Sequence, residues 1–450
     1  MSGRAARIGA ADTPSGPPGV RVVLDARPLQ EPERAPVTAT YLENLLGAFD
    51  ADPLAGESFA LLLRSDLDDP TTAFASLDVV GRRLLPPTHL LRSAALTVDA
   101  FVLSGASIGA AWRSTESGAA GAVYHAVGGG VPLATGLPLV VTLLDLAPWE
   151  LPATYQRNPA TRFGQRLRSR LLRDAAAIIV GTEAVAASAR RLLHVHPDRL
   201  RVVPFAPRPA FRTSPGGGPG TASDQADSAA DRPATAALPG VTGSAPSIRS
   251  ERTRLGLPER YLVYSGRYDA RQDLRTLLRA LESLAAAGRP DGLAGDVAWP
   301  PRVLLVGTAP EDRSALARAA GRVDVGESLA YAPHLPDERL ATLVRGARAA
   351  ILPALSDATG LPAIDAIASG TPVIASNTGA LPEVVGTAGI LVPVQDHERL
   401  ATALATVWTD DGVHGRLAAA ARARAALDLR TWADVARATR EVYAEVGRRG

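Results

Sequence analysis

Residues Ile351 to Asp396 read ILPALSDATGLPAIDAIASGTPVIASNTGALPEVVGTAGILVPVQD, and no other part of the chain says as much about its architecture. The order is apolar strand, glycine turn, helix, strand, loop, strand. Asp357 and Asp365 bracket the turn with seven residues between them. Pro362 follows Gly360 and Leu361, where proline fits a first helical turn. A helix starting there aims backbone N–H groups and the positive end of its dipole beyond the strand, which suits a phosphate. The two carboxylates are acceptors suited to sugar or ribose hydroxyls. Taken alone, the segment also reads as an ordinary buried βαβ unit.

A chain of 450 residues has room for two domains and a connecting segment. Hydrophobic residues make up 46%, enough for packed cores. No apolar run reaches the ~20 residues that span a bilayer, and the start lacks the charged-then-apolar form of a secretory signal. These features predict a soluble, cytoplasmic protein. The absence of cysteine excludes disulfides, thiolate metal sites and a cysteine nucleophile. All 48 lysine-or-arginine positions are arginine, which with the abundant alanine points to a GC-rich bacterial genome. Any phosphate must therefore be held by arginine, backbone N–H groups or hydroxyls. A formal net charge of +2 gives no argument for nucleic-acid binding.

Outward from the opening stretch, strands alternate with helices in two sets. Residues 1–18 are small and polar and read as a disordered start. Residues 19–207 read as a first domain. Its strands are VRVVL (Val20 to Leu24), FALLL (Phe59 to Leu63), a short one from Ala122, LVVTLL (Leu139 to Leu144), Ala177 to Val180 and Leu200 to Val203. Helices are expected at Tyr41 to Phe49, Ala160 to Arg173 and Thr182 to Leu193. Residues 208–252 contain a Gly-, Pro-, Ser- and Ala-rich tract without periodicity and read as a linker. Residues 253–428 repeat the alternation, with strands at Tyr261 to Tyr264, Arg302 to Val306, Val323 to Val325 and Ala349 to Leu352. Helices are expected there at Arg271 to Ala287, Ser314 to Ala320 and Asp337 to Ala347. Such alternation implies an α/β fold of two doubly wound, Rossmann-like domains, with ligands at the carboxyl ends of the strands. Residues 429–450 hold Trp432, Val435 and Val442 at helical spacing and read as a terminal helix.

The second half resembles the retaining GT-B glycosyltransferases of family 4. Their pattern is E-x7-E around Gly-Phe-Gly-Leu-Pro, then Glu-Ala-Met-Ala-x-Gly-x-Pro-Val. This chain has GLP (Gly360 to Pro362), DAIASGTPV (Asp365 to Val373) and PEVVG (Pro382 to Gly386). Both glutamates are aspartates here, and Thr359 stands for phenylalanine. The family's Gly-Arg then Lys-Asn-Leu is matched by Gly266-Arg267 and Gln272-Asp273-Leu274, so a neutral glutamine replaces the lysine. The resemblance implies that Arg267 holds the donor's diphosphate and that Gln272 or the adjacent Arg271 assists weakly. It also implies that Asp357 reaches the donor sugar and Asp365 the ribose, and that the amides at Gly360 and Leu361 meet phosphate. Gly307, ending a strand, suits the close approach of a nucleotide, and the resemblance implies that His334 and Leu335 lie beside the base and that Glu383 supports the donor loop. For Arg271 a surface salt bridge is the better reading from sequence, and for Glu383 a helix-terminal charge reads equally well.

The first half departs further. Where many relatives have a glycine-rich loop, Arg34 to Tyr41 (RAPVTATY) has no glycine. His125, at a strand end before Gly128-Gly129-Gly130, is a candidate contact to an acceptor hydroxyl or a packed core histidine. Asp145 ends LVVTLLD where relatives show His-Asp; it orients an acceptor or caps the Pro148 turn. Arg157, Arg162, Arg166, Arg168, Arg170 and Arg173 alternate with Phe163, Leu167 and Leu171, a pattern for a solvated helix face or an anionic lipid surface. Asp66-Leu67-Asp68 has the D-x-D spacing of metal-dependent transferases, in a three-residue match too short to weigh.

The resemblance implies transfer of a hexose from a nucleotide sugar to an acceptor hydroxyl with retention, in envelope polysaccharide or glycolipid synthesis. Neither cofactor nor metal is expected. The partners are the sugar nucleotide and a sugar, lipid-linked or polysaccharide acceptor, with peripheral contact at the inner membrane face. In a catalytically weakened homologue the same changes would leave only nucleotide-sugar or partner binding. A non-enzymatic pair of Rossmann domains has no need of the GLP turn. In the resembled family the terminal helix crosses back to the first domain.

Overall fold

Thirteen strands among the described residues form two parallel sheets, one in each half of the computed structural model. The structure describes residues 19–85, 121–128, 131–132, 136–212, 247–428 and 430–447. Residues 1–18, residues 213–246 of the expected linker, Gly129 and Gly130 lie outside them.

The first sheet contains β1 (Arg21–Asp25), β2 (Ser58–Arg64), β3 (Val79–Leu85), β4 (Ala122–Val127), β5 (Leu139–Thr142), β6 (Ala177–Val180) and β7 (Leu200–Val202), in the order β3-β2-β1-β4-β5-β6-β7. The second contains β8 (Leu262–Ser265), β9 (Val303–Val306), β10 (Leu329–Ala332), β11 (Ala350–Leu352), β12 (Val373–Ser376) and β13 (Gly389–Val392), in the order β10-β9-β8-β11-β12-β13. Both reverse their winding, at β1/β4 and at β8/β11. The crevice beyond the carboxyl ends at such a reversal is where open α/β sheets bind ligands. Every residue of β2 is buried, as a strand covered on both faces requires.

Helical spacing explains the covering layers. The helix Pro36–Ala51 buries Tyr41, Leu42, Leu45, Leu46 and Phe49 against the first sheet. The helix Leu274–Ala287 buries Leu274, Leu277, Leu278, Leu281 and Leu284 against the second. It starts later than the expected Arg271. Asp273 takes a left-handed conformation (φ 46°) and its carboxylate accepts from the Thr276 hydroxyl at 2.6 Å. Arg271 and Gln272 are thereby left on a turn at the sheet's carboxyl edge.

Three sequence expectations need correction. Val323 to Val325 is not a strand; the edge strand is β10, six residues later at Leu329, and the sequence reading passed over it and over β3. β10 is a four-residue edge strand, and Gly81-Arg82-Arg83 interrupts the apolar run of the edge strand β3. The expected linker is also ordered at both ends. Phe211 is buried against the second domain, and a helix over Ile248–Arg254 packs on the helix Asp337–Gly346 through the Glu251–Arg339 ion pair (2.9 Å).

The C-terminal helix Trp432–Gly447 leaves the second domain and packs on the first. Trp432 meets Tyr41 edge-on, with ring centroids 5.5 Å apart. The Arg440 guanidinium forms a two-pronged ion pair with Glu57 at 2.7 and 2.9 Å, and Arg201 pairs with Glu445 at 2.5 Å. No helix among the described residues is long and apolar enough to cross a membrane.

Candidate active site

The turn after β11 is built around Asp357. Its Oδ1 accepts from the Thr359 N–H at 2.9 Å, the Thr359 hydroxyl at 3.1 Å and the Gly360 N–H at 2.8 Å. Its carbonyl oxygen accepts from the Ala380 N–H at 2.8 Å, which ties this turn to the one after β12. Two glycines make the geometry possible. Gly360 has φ +63°, and Gly379 has φ +56° with a would-be Cβ 1.9 Å from the Asp357 carbonyl oxygen. The expected role of these amides is corrected here. The Gly360 N–H is turned onto Asp357, and the Leu361 N–H lies 3.4 Å from the Thr359 hydroxyl, so neither is presented to a phosphate. Asp357 Oδ2 makes no hydrogen bond among the described residues and is the oxygen left for a ligand.

Arg271, read from sequence as a surface salt bridge, pairs with acids on both sides of the crevice between the domains. Its guanidinium lies 3.1 Å from Asp145 of the first domain and 3.1 Å from Asp269 on its own turn. Its backbone carbonyl receives the Leu355 N–H at 2.6 Å, which fixes the turn against the strand end before Asp357. The half-buried Tyr155 lies within electrostatic reach; burial and the Asp269 carboxylate raise its hydroxyl, and Arg271 opposes them. Arg267 also reaches the first domain, where Nη1 donates to the Glu33 carbonyl oxygen at 2.9 Å. Gly266 and Gly307 are neighbours at the ends of β8 and β9, their N–H groups bonded to Val306 and Ala332. Gln272 donates its N–H to the Asp269 carbonyl at 3.1 Å, which closes the turn that presents Arg271.

Opposite the arginines stands an acidic wall. Asp145 Oδ1 caps the Ala147 N–H at 2.8 Å, so the carboxylate holds the Pro148 turn and meets Arg271 at once. The Ser356 hydroxyl of the second domain donates to Glu150 Oε2 at 2.5 Å. Burial pushes the Glu150 carboxyl up, the Ser356 hydrogen bond opposes this, and the charges of Asp145 and Asp357 add to it. Sequence reasoning passed over Glu150, Tyr155 and Ser356, although each follows the carboxyl end of a strand, the position that marks ligand crevices.

Other candidates fall elsewhere. His125 is fully buried, with Nε2 2.8 Å from the Thr142 hydroxyl and Nδ1 2.7 Å from the Tyr443 hydroxyl. Burial pushes its pKa down to about 3, so the ring is neutral. The catalytic expectation for His125 is thus corrected: the C-terminal helix covers it, and it is a core residue joining that helix to β4 and β5. Asp365 is 3% exposed; its oxygens accept from the Arg208 N–H at 2.9 Å and Nε at 2.8 Å, and Arg208 also meets Asp337 at 2.5 Å. Its ribose role is corrected likewise, because Arg208, on the segment that leaves the first domain, already holds both oxygens. A small cavity lined by Arg208, Phe211, Leu340, Pro362 and Asp365 lies beneath this pair.

His334 is exposed at the domain edge, and Leu335 is buried in the core. Glu383 reaches the first domain, where its carboxylate accepts from the Glu183 and Ala184 N–H groups at 3.4 and 3.1 Å, at the start of the helix Glu183–Leu193. Asp66 of the D-x-D stretch is ion-paired with Arg64 at 2.6 Å. Arg168 turns away from the solvated face expected for its helix. It lies over the Trp149 ring at 4.8 Å and donates to the Gly128 carbonyl at 3.2 Å, and burial pulls it down to about 10.

Comparison with known proteins places this geometry. A family model described as "Glycosyl transferases group 1" matches residues 259–410. A D-inositol 3-phosphate glycosyltransferase from Streptomyces griseus is 34% identical over 206 residues, covering 45% of this chain and 43% of that protein. The chain thus matches less than half the length of that relative. Sucrose-phosphate synthase from Thermosynechococcus elongatus superposes with a TM-score of 0.65 at 18% identity, over 95% of this chain and 98% of that one. Anabaena HepE in complex with UDP and glucose superposes with a TM-score of 0.62 at 15% identity, over 95% of this chain and 100% of that one. Residues 259–410 are thus similar to the glycosyl transferases group 1 family, and the chain as a whole has the GT-B fold.

Proposed function

We propose that the protein transfers a hexose from a nucleotide sugar to an acceptor hydroxyl, with retention at the anomeric carbon. The observation that carries the reading is Arg271, a cation held in the interdomain crevice between Asp145 of one domain and Asp269 of the other. In the proposed reaction the bond between the sugar C1 and the donor phosphate oxygen breaks, and the acceptor oxygen bonds to C1 on the same face. The acceptor proton passes to the departing phosphate oxygen. Negative charge grows on the diphosphate in that step, and preorganised cations stabilise it in the transition state. Arg271 is the principal clamp in this reading and Arg267 the second, so arginine takes the part that the expected lysine would play and no metal is invoked. Asp357 Oδ2 accepts from a donor-sugar hydroxyl, and Asp145 orients the acceptor once Arg271 turns to phosphate.

UDP is the leaving nucleotide we propose, because a protein of the same fold holds UDP and glucose. The acceptor is a sugar or lipid-linked sugar of the cell envelope, reached from the cytoplasm. A thermal-shift series with UDP-, GDP- and ADP-hexoses tests donor binding, since selective binding to the native state raises the melting temperature. Transfer to an acceptor panel, with the product anomer read by NMR, then tests turnover and stereochemistry. A chain that responds to no nucleotide sugar ends the reading.

A further inference from the structure

Glu150 has no task in the transfer reading, yet the fold gives it a fastened support. It ends the single-turn helix Ala147–Glu150. Asp145 caps the first N–H of that turn at 2.8 Å, and the Gln156 side-chain amide donates to the Pro148 carbonyl oxygen at 2.8 Å. The Trp149 indole N–H donates to the Ser169 hydroxyl at 2.8 Å and the Arg168 guanidinium covers the ring, which pins the turn to the helix Pro159–Asp174. Pro148 and Pro152 fix φ inside the turn and just beyond it. From this support Glu150 reaches across the crevice, where its Oε2 accepts from the Ser356 hydroxyl at 2.5 Å. Ser356 is 2% exposed and lies in a segment held from several sides. Leu355 before it gives its N–H to the Arg271 carbonyl at 2.6 Å, and Asp357 after it accepts the Ala380 N–H on its own carbonyl at 2.8 Å. The Thr378 hydroxyl donates to the Leu355 carbonyl at 3.3 Å. Residues 355–357 thus gather the Arg271 turn, the turn after β12 and, through Ser356, the first domain.

Stability alone would not put a carboxylate here. Burial disfavours its ionised form and the charges of Asp145 and Asp357 add to this, while the Ser356 hydrogen bond and the charge of Arg191 oppose them. A group set against its own electrostatic preference in a crevice marks a functional position. The bond to Ser356 also depends on closure: a hydroxyl on a carboxylate gains most where water is excluded, and both groups return to water when the domains part. We infer that Glu150 is a positioning residue for the transfer step: through Ser356 it holds the Asp357 turn against the first domain, so that the carboxylate assigned to the donor sugar is set by the domain that faces the acceptor. This role rests on the transfer reading and adds to it a division of labour, since Glu150 touches neither the diphosphate nor the bond that breaks. With the link cut, the turn loosens and water enters. Water then competes with the acceptor: the bond between C1 and the phosphate oxygen breaks as before, a water oxygen bonds to C1, and its proton passes to the departing phosphate oxygen.

The test follows release of nucleoside diphosphate from UDP-, GDP- and ADP-hexoses by the full chain, with and without the acceptor panel, beside calorimetric titration with UDP, GDP and ADP. Glu150→Ala and Ser356→Ala are each expected to lower kcat for transfer about 10²-fold, the usual cost of a small misplacement near the reacting atoms. Both are expected to raise the share of turnovers that end in hydrolysis and to leave the nucleoside diphosphate Kd as it was, because that ligand has no sugar for Asp357 to hold. Changing both residues together is expected to cost no more than either change alone. Glu150→Gln keeps an oxygen for Ser356 and is expected to restore most of the lost kcat. Melting temperatures show which variants fold; if Glu150→Ala does not, Ser356→Ala and Glu150→Gln carry the comparison. Undiminished kcat in the single variants, additive losses, a Glu150→Gln no better than Glu150→Ala, or a Kd weakened in step with kcat would each overturn the role. A wild-type chain that consumes no nucleotide sugar ends the transfer reading and this role with it, whereas normal turnover in the variants ends the role alone.

Discussion

The Arg271 guanidinium of the second domain lies 3.1 Å from the Asp145 carboxylate of the first. In the proposed reaction this one contact joins the cation assigned to the leaving diphosphate to the carboxylate assigned to the acceptor. A diphosphate carries more charge than a single carboxylate, so a donor entering the crevice competes with Asp145 for the same cation. Donor binding would then free Asp145 at the moment when an acceptor needs it.

If so, Arg271→Gln removes a cation that acts mainly in the transition state. Its kcat/KM for transfer should fall about 10²- to 10³-fold, the usual cost of losing one preorganised donor to developing charge. Asp145→Asn should tighten nucleotide-sugar binding while lowering turnover, because the competing charge goes and the acceptor contact weakens. Steady-state kinetics with calorimetric titration of the donor measures both. A normal kcat/KM in Arg271→Gln would remove this residue from the mechanism.

The Arg208–Asp365 pair should be structural. Burial alone would push the Asp365 carboxyl up, and two contacts from Arg208 oppose it. Arg208→Ala leaves a buried carboxylate without its partner and should cost about 3–5 kcal/mol in urea unfolding. Arg208→Ala with Asp365→Ala should cost less than the sum of the single changes, which a double-mutant cycle reads directly.

His125 predicts a pH dependence. Its folded pKa of about 3 lies below the ordinary histidine value of 6.5, so the unfolded chain binds the proton more readily. Stability from this residue is complete above pH 6.5 and is lost as the pH falls from there toward 3. Between pH 6.5 and 5 the loss should be about 2 kcal/mol. His125→Asn should lower stability at neutral pH, remove this part of the acid sensitivity and leave donor binding intact. Urea titrations at the two pH values, with and without UDP, check it; loss of UDP binding by a folded variant would return His125 to the site.

Gly379→Ala should disturb the Asp357 turn without touching any charge. The added Cβ would sit 1.9 Å from the Asp357 carbonyl oxygen at φ +56°. The left-handed strain alone costs about 1–3 kcal/mol, and the backbone contact cannot relax by turning a side chain. A lower melting temperature together with weakened donor binding is expected. Tight donor binding in this variant would show that Asp357 does not depend on the second turn.

Much of the architecture was readable because it rests on neighbours in sequence. Apolar runs marked the core strands, and five leucines at helical spacing marked Leu274–Ala287. The glycine turn was readable too, but its use was not. Of the two amides expected to face a phosphate, Asp357 takes that of Gly360 and the Thr359 hydroxyl meets that of Leu361, a matter of side-chain direction within three residues. Edge strand β10 escaped because it is only four residues long, and β3 because Gly81-Arg82-Arg83 breaks its apolar run.

By itself the sequence determined the two alternating sets of strands and helices, the GLP turn between its aspartates, and the rule that every strong phosphate ligand is arginine. Tertiary structure alone decided which arginine faces the crevice, which acid is already taken and which histidine is sealed. Arg208 meets Asp365 across 157 residues, and Tyr443 meets His125 across 318. Periodicity reports only which side of an element turns inward. Partners so far apart along the chain are set by how the finished layers pack, by where Asp273 starts its helix, and by the C-terminal helix returning to close over the first domain.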